Sequence, residues 1–308
     1  MEKIFITGGA GFIGSNLAEL LSSLDFEVVV YDNLKSGFIE NINSIPNVKF
    51  INGDILDFET LCESVKGSSR VYHFAAEISV PESVEKPKHT EEVNTLGTIN
   101  LLNAMLKNNV KNIVFASSAA VYGDSEECPK TLDMAPNPIS PYAISKLSGE
   151  YYIKMFTKIH GFKGVVTRFF NVFGDRQNPN SKYAAAVPIF ISKALKGDTI
   201  TIFGDGEQTR DFIYVKDLVK YIYELSNSGV GYYNLGYGEK ITINDLVQKI
   251  IKLTNSNSKV EYKPTRAGDV KRSFADVSKL KELNRVELYG FETGLARTIE
   301  YFKNKGKT

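Results

Sequence analysis

The 308-residue sequence predicts a doubly wound, parallel α/β sheet with a smaller C-terminal α/β lobe. Three observations predict it. Short apolar runs alternate with helical periodicity through residues 3–169, several of those runs are apolar nearly throughout, and a glycine-rich turn, TGGAGFIG (7–14), joins the first run to the first helix. Strands that are apolar on both faces belong to sheets covered by helices on both sides, built from right-handed strand–helix–strand units.

The elements follow in order. KIFIT (3–7) is the first strand, a helix runs over 12–24, and EVVVYD (27–32) and VKFING (48–53) are the next strands. Helices over 57–66, 91–108 and 141–160 lead to strands RVYHFAA (70–76), NIVFASS (112–118) and GVVTRF (164–169), the first of these three helices preceding 70–76. The helix at 141–160 has the clearest ends: Ser140 is a good N-cap, Pro141 suits the first helical position, and nothing breaks the segment before Gly161. After about residue 168 the alternation becomes irregular. A polar loop, DRQNPNSKY (175–183), leads to a helix in AAAVPIFISKALKG, a strand TITIF, a loop GDGEQTR and helices near 215–226 and 243–254. There is no internal repeat and no low-complexity linker. The expected division is a first domain over 1–168, to which about 212–236 returns, and a packed second lobe over 169–308.

Bulk composition narrows the function. A hydrophobic share of 43% and a charged share of 24% are ordinary for a globular chain. Lys+Arg 37 against Asp+Glu 36 gives a net charge of +1, so no global field recruits nucleic acid or an anionic membrane. Cys62 and Cys128 form no CxxC motif or disulfide framework, and His73, His89 and His160 show no metal-ligand spacing; they read as structural, with no metal expected. No apolar run reaches membrane-span length, and glycines interrupt the leader-like start MEKIFITGGAGFIG; a cytoplasmic enzyme is the expectation.

Gly8, Gly11 and Gly14 stand at three-residue intervals between a strand and a helix. Such glycines permit a tight turn and close approach of backbone to a pyrophosphate, while the helix N-terminus offers free N–H groups and a positive dipole end. Asp32 ends the second strand 18 residues after Gly14, where a carboxylate holds ribose hydroxyls and repels a 2′-phosphate. NAD is therefore expected over NADP. Asp54, ending the third strand, is placed either for the adenine edge or as the N-cap of the helix at 57–66.

With a nicotinamide at the strand ends, SSAAVYG (117–123) and PYAISK (141–146) form a second constellation. Oxidising an alcohol needs a base for the hydroxyl proton, and a tyrosine with an ordinary pKa near 10 is too protonated at neutral pH. A neighbouring ammonium and a cationic nicotinamide would both favour phenolate. Tyr142 as base, Lys146 as tuning cation and ribose ligand, and Ser118 as hydroxyl relay complete that set.

TGGAGFIG, HFAA, SSAAVYG, YAISK, RFFNVFG and GDGEQTRDFIYV together resemble the extended short-chain dehydrogenase/reductase family, specifically its nucleotide-sugar 4-epimerases, along essentially the whole chain. The resemblance implies a Rossmann-type first domain binding NAD through Gly8, Gly11, Phe12, Ile13, Gly14, Asp32, Asn33, Asp54, Ile55, Phe74, Ala75, Ala76, Asn94, Ser117, Tyr142 and Lys146. It implies that Asn171, Arg210 and Arg266 hold a nucleotide diphosphate, that Asp269 meets the uridine ribose, and that Ser79, Ser118, Tyr142, Val187 and Ser273 also line the substrate. Arginine forks suit phosphate, and a neutral protein needs such fixed cations for a diphosphate.

The same resemblance implies inversion of C4 of a UDP-hexose by transient oxidation to a 4-keto sugar and re-reduction, in a homodimer paired through helices at 91–108 and 141–160. Sister dehydratases carry Asp-Glu, and decarboxylases a Glu, where this chain has Ala119 and Ala120, so elimination is disfavoured. Glucose-specific epimerases commonly carry a tyrosine at the position of Ser273; the small residue opens the pocket to an N-acetyl group, so UDP-GlcNAc/UDP-GalNAc is expected alongside UDP-Glc/UDP-Gal. The alternatives are a UDP-glucuronate 4-epimerase or another nucleotide-sugar oxidoreductase of the family, and a non-catalytic NAD-binding regulatory protein.

Overall fold

The structure is a computed structural model that describes residues 1–179, 185–265, 270–283 and 286–305. The chain divides into two units: Met1–Gly123 with Ala135–Phe169 and Val219–Tyr233, and Asp124–Met134 with Phe170–Leu218 and Asn234–Thr308.

The first unit contains β1 (Lys3–Thr7), α1 (Phe12–Ser23), β2 (Glu27–Asp32), β3 (Val48–Asn52), α2 (Phe58–Val65), β4 (Arg70–His73), α3 (Val80–Glu85), α4 (Pro87–Glu91), α5 (Gly97–Lys107), β5 (Asn112–Ser118), α6 (Pro141–His160) and β6 (Lys163–Phe169). Its sheet runs β3-β2-β1-β4-β5-β6, all neighbours parallel, with β11 (Gly231–Leu235) beyond β6. Strand order reverses between β1 and β4. In such sheets, ligands bind outside the C-terminal strand ends at that reversal. One face of the sheet is closed by Phe5, Val29, Val71, Ile113, Phe115 and Val166 packed with Leu101, Met105, Ile153 and Phe156. Helix α6 lies very near β5: a Cβ on Gly149 would stand 2.3 Å from the Phe115 ring.

Two boundaries differ from expectation. The helix expected over 91–108 is three pieces, α4, a π-helical turn over Glu92–Leu96, and α5. The wide turn carries Asn94, whose side chain bonds outside the helix, and π-turns recur where a side chain is so redirected. The strand expected to reach residue 76 ends at His73, because Ala75 N–H turns to Thr7 Oγ1 (3.4 Å) instead of continuing the ladder.

The second unit contains β7 (Asn171–Phe173), α7 (Ala186–Lys196), β8 (Ile200–Phe203), β9 (Thr209–Arg210), β10 (Phe212–Tyr214), the start of α8 (Val215–Ser228), β12 (Ile241–Thr242), α9 (Ile243–Thr254), β13 (Val260–Lys263), β14 (Arg272–Ser273), α10 (Ser278–Lys281) and α11 (Gly290–Lys305). Small sheets pair β7 with β10, β8 with β13, and β9 with both β12 and β14. Buried carboxylates tie its loops together. Asp211 accepts backbone N–H bonds from Tyr237 (2.8 Å), Gly238 (2.9 Å) and Ala275 (3.1 Å). Asp217 accepts from Tyr289 N (2.9 Å), Gly290 N (3.0 Å) and the Tyr237 hydroxyl. Among the described residues no helix is long and apolar enough to cross a membrane, and no cluster of three His, Cys, Asp or Glu stands together for a metal.

Candidate active site

The glycine turn occupies the strand-order reversal. Gly8 has φ +68°, and a Cβ there would stand 2.6 Å from Ala75 N, at the end of β4; a Cβ on Gly14 would stand 2.4 Å from Gly8 O. Gly11 is different. Its backbone is extended (φ −75°), and a Cβ would meet only Gly8 O, at 3.2 Å. The fold itself thus needs glycine at 8 and 14 but hardly at 11. Helix α1 begins there with no side-chain cap and no acid in its first turn, so Phe12, Ile13 and Gly14 present N–H groups to an anion.

Asp32 closes this turn from the neighbouring strand. It is 8% exposed, and its oxygens accept from Ala10 N (3.0 Å) and Leu34 N (2.8 Å). Burial raises its pKa, and those two N–H bonds oppose the rise. A carboxylate oxygen keeps a second lone pair after one bond, so Asp32 can still accept from a ribose diol. These residues fit an unphosphorylated dinucleotide. Asn33 donates to Asp54 Oδ2 (3.0 Å), and Asp54 Oδ1 accepts from Leu56 N (2.9 Å). The N-cap of α2 is Asp57, not Asp54, which settles one alternative for Asp54. Ile55 is buried against the small Gly97, while Phe74, Ala75 and Ala76 follow β4 and are half-buried.

Ser118, Tyr142 and Lys146 come together at the end of β5. Ser118 Oγ accepts from Ala120 N (3.1 Å), capping the 3-10 turn Ala119–Tyr122, and it hydrogen-bonds the Tyr142 phenol. Lys146 is buried; its Nζ donates to Ala116 O (2.9 Å) and lies 5.9 Å from the Tyr142 ring centre. The protein's own contribution to the phenol runs opposite to the shift expected with a nicotinamide bound. Burial raises the Tyr142 pKa, opposed by the Ser118 bond, and Lys146 does not reverse it; burial also lowers Lys146 to about 8. In the protein alone desolvation is the larger influence on the phenol, and a cationic group bound beside it would act in the opposite direction.

Ser117, expected at the cofactor, is 2% exposed and donates its hydroxyl to Glu150 Oε1 (2.5 Å). Asn94, also 3% exposed, accepts from Glu77 N (2.7 Å) and donates to Glu77 O (2.9 Å) and Ser145 Oγ (2.9 Å). It therefore clasps the loop after β4 to α6. Ser79 caps α3, accepting from Glu82 N (3.2 Å).

His73, read as structural, sits in a buried chain beneath this site. Thr98 Oγ1 donates to Asn94 O (2.6 Å), so it must accept from His73 Nε2–H (2.9 Å), and His73 Nδ1 then accepts from Thr7 Oγ1–H (2.6 Å). That tautomer is neutral. Burial, then the nearby Lys146, lowers His73 from 6.5 to about 3. The unfolded chain takes up this proton below pH 6.5 and the folded one does not. The contribution is fully present above 6.5 and lost toward 3, at about 1.4 kcal/mol per pH unit. His73→Gln should consequently show a shallower fall in urea stability than the parent between pH 6.5 and 4.5; equal slopes would contradict the neutral assignment.

The second unit has its own cavity of about 450 Å³, within the size range of small-molecule sites. Asn171, Val187 and Arg210 line it with Phe190, Phe203 and Phe212. Arg210 Nη1 donates to Thr209 O (2.9 Å), and Ser273 on β14 is the register partner of Arg210 on β9. Arg266 and Asp269 lie outside the described residues.

Glu150 and Arg168 were not among the expected site residues. The signal for Glu150 is the four-residue step Tyr142, Lys146, Glu150, which puts all three on one helix face; Arg168, on β6, carries no such signal.

The sequence profile described as the NAD dependent epimerase/dehydratase family matches residues 4–236. A putative UDP-glucose 4-epimerase of Methanocaldococcus jannaschii is 39% identical over 99% of this chain and 100% of its own. Among solved structures, a UDP-N-acetylglucosamine 4-epimerase from Methanobrevibacter ruminantium, in complex with UDP-N-acetylmuramic acid, superposes with TM-score 0.94 at 39% identity, covering 99% of each chain. The Thermotoga maritima UDP-glucose 4-epimerase, with UDP-glucose, gives TM-score 0.94 at 38% identity, covering 98% of this chain and 99% of that one.

Proposed function

The chain belongs to the NAD dependent epimerase/dehydratase family, and from that membership we propose that it inverts C4 of UDP-hexoses, acting on UDP-GlcNAc/UDP-GalNAc as well as UDP-Glc/UDP-Gal. It is an enzyme, and its cofactor is NAD. The observation that carries epimerisation over elimination is the turn between Ser118 and Tyr122. It brings Ala119 and Ala120, not carboxylates, to the end of β5 beside Tyr142. A dehydratase needs an acid to protonate a leaving hydroxyl, and this turn supplies none.

NAD, when bound, would supply a reversible hydride acceptor. Everything else falls to side chains. Phe12, Ile13 and Gly14 N–H groups hold the pyrophosphate, and Asp32 holds the adenosine ribose. Tyr142 takes the C4 hydroxyl proton directly or through Ser118, and gives it back when the 4-keto sugar is reduced from its other face. Lys146, positioned by Ala116 O, holds the second ribose and favours phenolate once a cationic nicotinamide joins it. Asn171, Arg210 and Arg266 clamp the diphosphate so that the keto sugar turns without leaving. The aromatic cavity of the second unit supports a place for the nucleoside.

The relatives that act on UDP-glucose and on UDP-N-acetylglucosamine are about equally similar in identity, 38–39%, so identity does not choose between them. What supports the acetylated pair is Ser273, small and half-buried beside Arg210 in register. Incubation with UDP-GlcNAc, UDP-Glc and UDP-GlcA, with separation of products, tests the reading. Turnover of both hexose pairs is expected; turnover of UDP-GlcA alone would reject it. Ser273→Tyr should cut kcat/KM for the acetylated pair about tenfold to a hundredfold and spare the plain pair, since one pocket group decides about 1–3 kcal/mol. Equal losses on both would reject steric gating.

A homodimer and a cytoplasmic location are part of the same reading. Ile144, Tyr151 and Ile159 on α6 are 47%, 56% and 65% exposed at heptad-like spacing, which supports pairing through this helix. A monomeric mass by sedimentation, or a tagged chain found outside the cytoplasm, would remove the respective part.

A further inference from the structure

Three successive residues of β5 are fastened to one face of α6. Ala116 O accepts from Lys146 Nζ (2.9 Å), Ser117 Oγ donates to Glu150 Oε1 (2.5 Å), and Ser118 bonds the Tyr142 phenol. Two of these ties belong to the proposed chemistry. The third reaches a buried ion pair that the chemistry does not use.

Glu150 and Arg168 have side chains 1% and 5% exposed. Arg168 Nε donates to Oε1 (2.9 Å) and Nη2 to Oε2 (2.7 Å), a two-pronged fork that fixes direction as well as distance. Arg168 on β6 is the register partner of Ser117 on β5. Its guanidinium lies 4.8 Å from the centre of the Tyr122 ring, at the end of the turn that Ser118 caps, and 5.5 Å from that of Tyr232. One ion pair thus joins α6, both strands and the turn behind Ser118.

We propose that the Glu150–Arg168 pair, acting through Ser117, is a positioning element that sets the separation of Ser118 on β5 from Tyr142 on α6. The inference rests on the reading of Ser118 and Tyr142 as the acid–base machinery. A buried ion pair is a poor source of stability, because desolvation of two charges consumes much of the Coulomb gain. Register is what it supplies here. β5 and α6 also pack through Phe115, Ile153 and Phe156. Apolar packing resists separation but is non-directional. A displacement of about 1 Å at reacting groups costs about a hundredfold in rate. The pair also carries no net charge toward its neighbours, and the lowered pKa of Lys146 comes from burial alone.

The test uses the NAD-loaded enzyme and steady-state turnover of UDP-glucose, with Ser117→Ala, Glu150→Gln and Tyr142→Phe compared. Ser117→Ala removes one hydroxyl from an intact ion pair; kcat should fall about tenfold, the worth of one hydrogen bond, with KM and NAD content unchanged. Glu150→Gln should fall about a hundredfold in kcat at unchanged KM. A residue of merely structural use would lower the melting temperature while leaving kcat per folded, NAD-loaded molecule intact. Folded Ser117→Ala with kcat within twofold of the parent overturns the inference, whether or not Glu150→Gln folds. Parent-like Tyr142→Phe instead removes the acid–base reading, and the inference falls with it.

Discussion

Tyr142→Phe is expected to lower kcat by about a thousandfold or more while leaving NAD content and the KM for UDP-hexose near parental values. The substitution removes one oxygen and little else. Ser118, its hydrogen-bond partner, keeps the Ala120 N–H bond at 3.1 Å, and α6 keeps its Ser140 cap to Ala143 N at 3.2 Å. Folding should therefore lose about 1 kcal/mol, the net value of one hydrogen bond. Turnover would lose the proposed base: Ser118 can relay a proton but does not hold one at neutral pH, and Lys146 is tied to Ala116 O. A kcat within tenfold of the parent would remove Tyr142 as the base. The pH profile is a second reading of the same site. Lys146 is lowered to about 8 by burial, and a cationic nicotinamide beside it can only lower it further. Its ammonium form, which favours the phenolate, is thus lost as pH rises through that value. The alkaline limb of kcat/KM should fall at or below about pH 8 and be absent in Lys146→Met at its reduced rate. A limb above pH 9 that survives in that variant would assign it to another group.

Most of the strands from Lys3 to Phe169 were legible because a strand covered on both faces is apolar at nearly every position, while the edge strand β3, with no buried residue, was marked by its alternation and by the chemically distinct turn and cap residues around it. The π-turn at Glu92–Leu96 was not, since one inserted residue hardly disturbs helical periodicity; only the outward bonding of Asn94 reveals it. In the second unit, β13 is exposed along its length and β14 has two residues, so neither carries alternation. The trio Ser118, Tyr142 and Lys146 could be read as one site because strand end and helix start are both marked in sequence. The sign of the Tyr142 shift could not, since it depends on burial. Glu150 shows the same limit. Its spacing from Lys146 was visible, but a carboxylate on a helix reads as solvent-facing until Arg168 is seen across from it on β6.

The glycine turn yields the other large effect, and it separates what the fold demands from what the cofactor demands. Gly8→Ala must hold φ +68° with a Cβ 2.6 Å from Ala75 N and 2.8 Å from Phe74 C; both are backbone atoms of the segment just after β4, and Phe74 N is itself bonded to Thr7 O (3.0 Å), so it cannot yield freely. A left-handed backbone costs a non-glycine residue about 1–2 kcal/mol, and overpacking adds about 1–3 kcal/mol. Gly14→Ala meets backbone as well, with Gly8 O at 2.4 Å and Gly9 Cα at 2.7 Å. Both variants should melt well below the parent, by about 5 °C or more, with or without NAD. Gly11→Ala should not. Its extended backbone accepts alanine, and the sole contact, Gly8 O at 3.2 Å, must give by a few tenths of an ångström. Its new methyl stands instead beside the uncapped N-terminus of α1, where the proposed pyrophosphate site needs bare backbone. Ligand-free Gly11→Ala should melt within about 2 °C of the ligand-free parent yet bind NAD at least about tenfold more weakly, measured by titration of the stripped protein. Unchanged NAD affinity in a normally folded Gly11→Ala would mean that the phosphates do not lie on this turn, and the assignment of Phe12, Ile13 and Gly14 as their donors would have to be withdrawn.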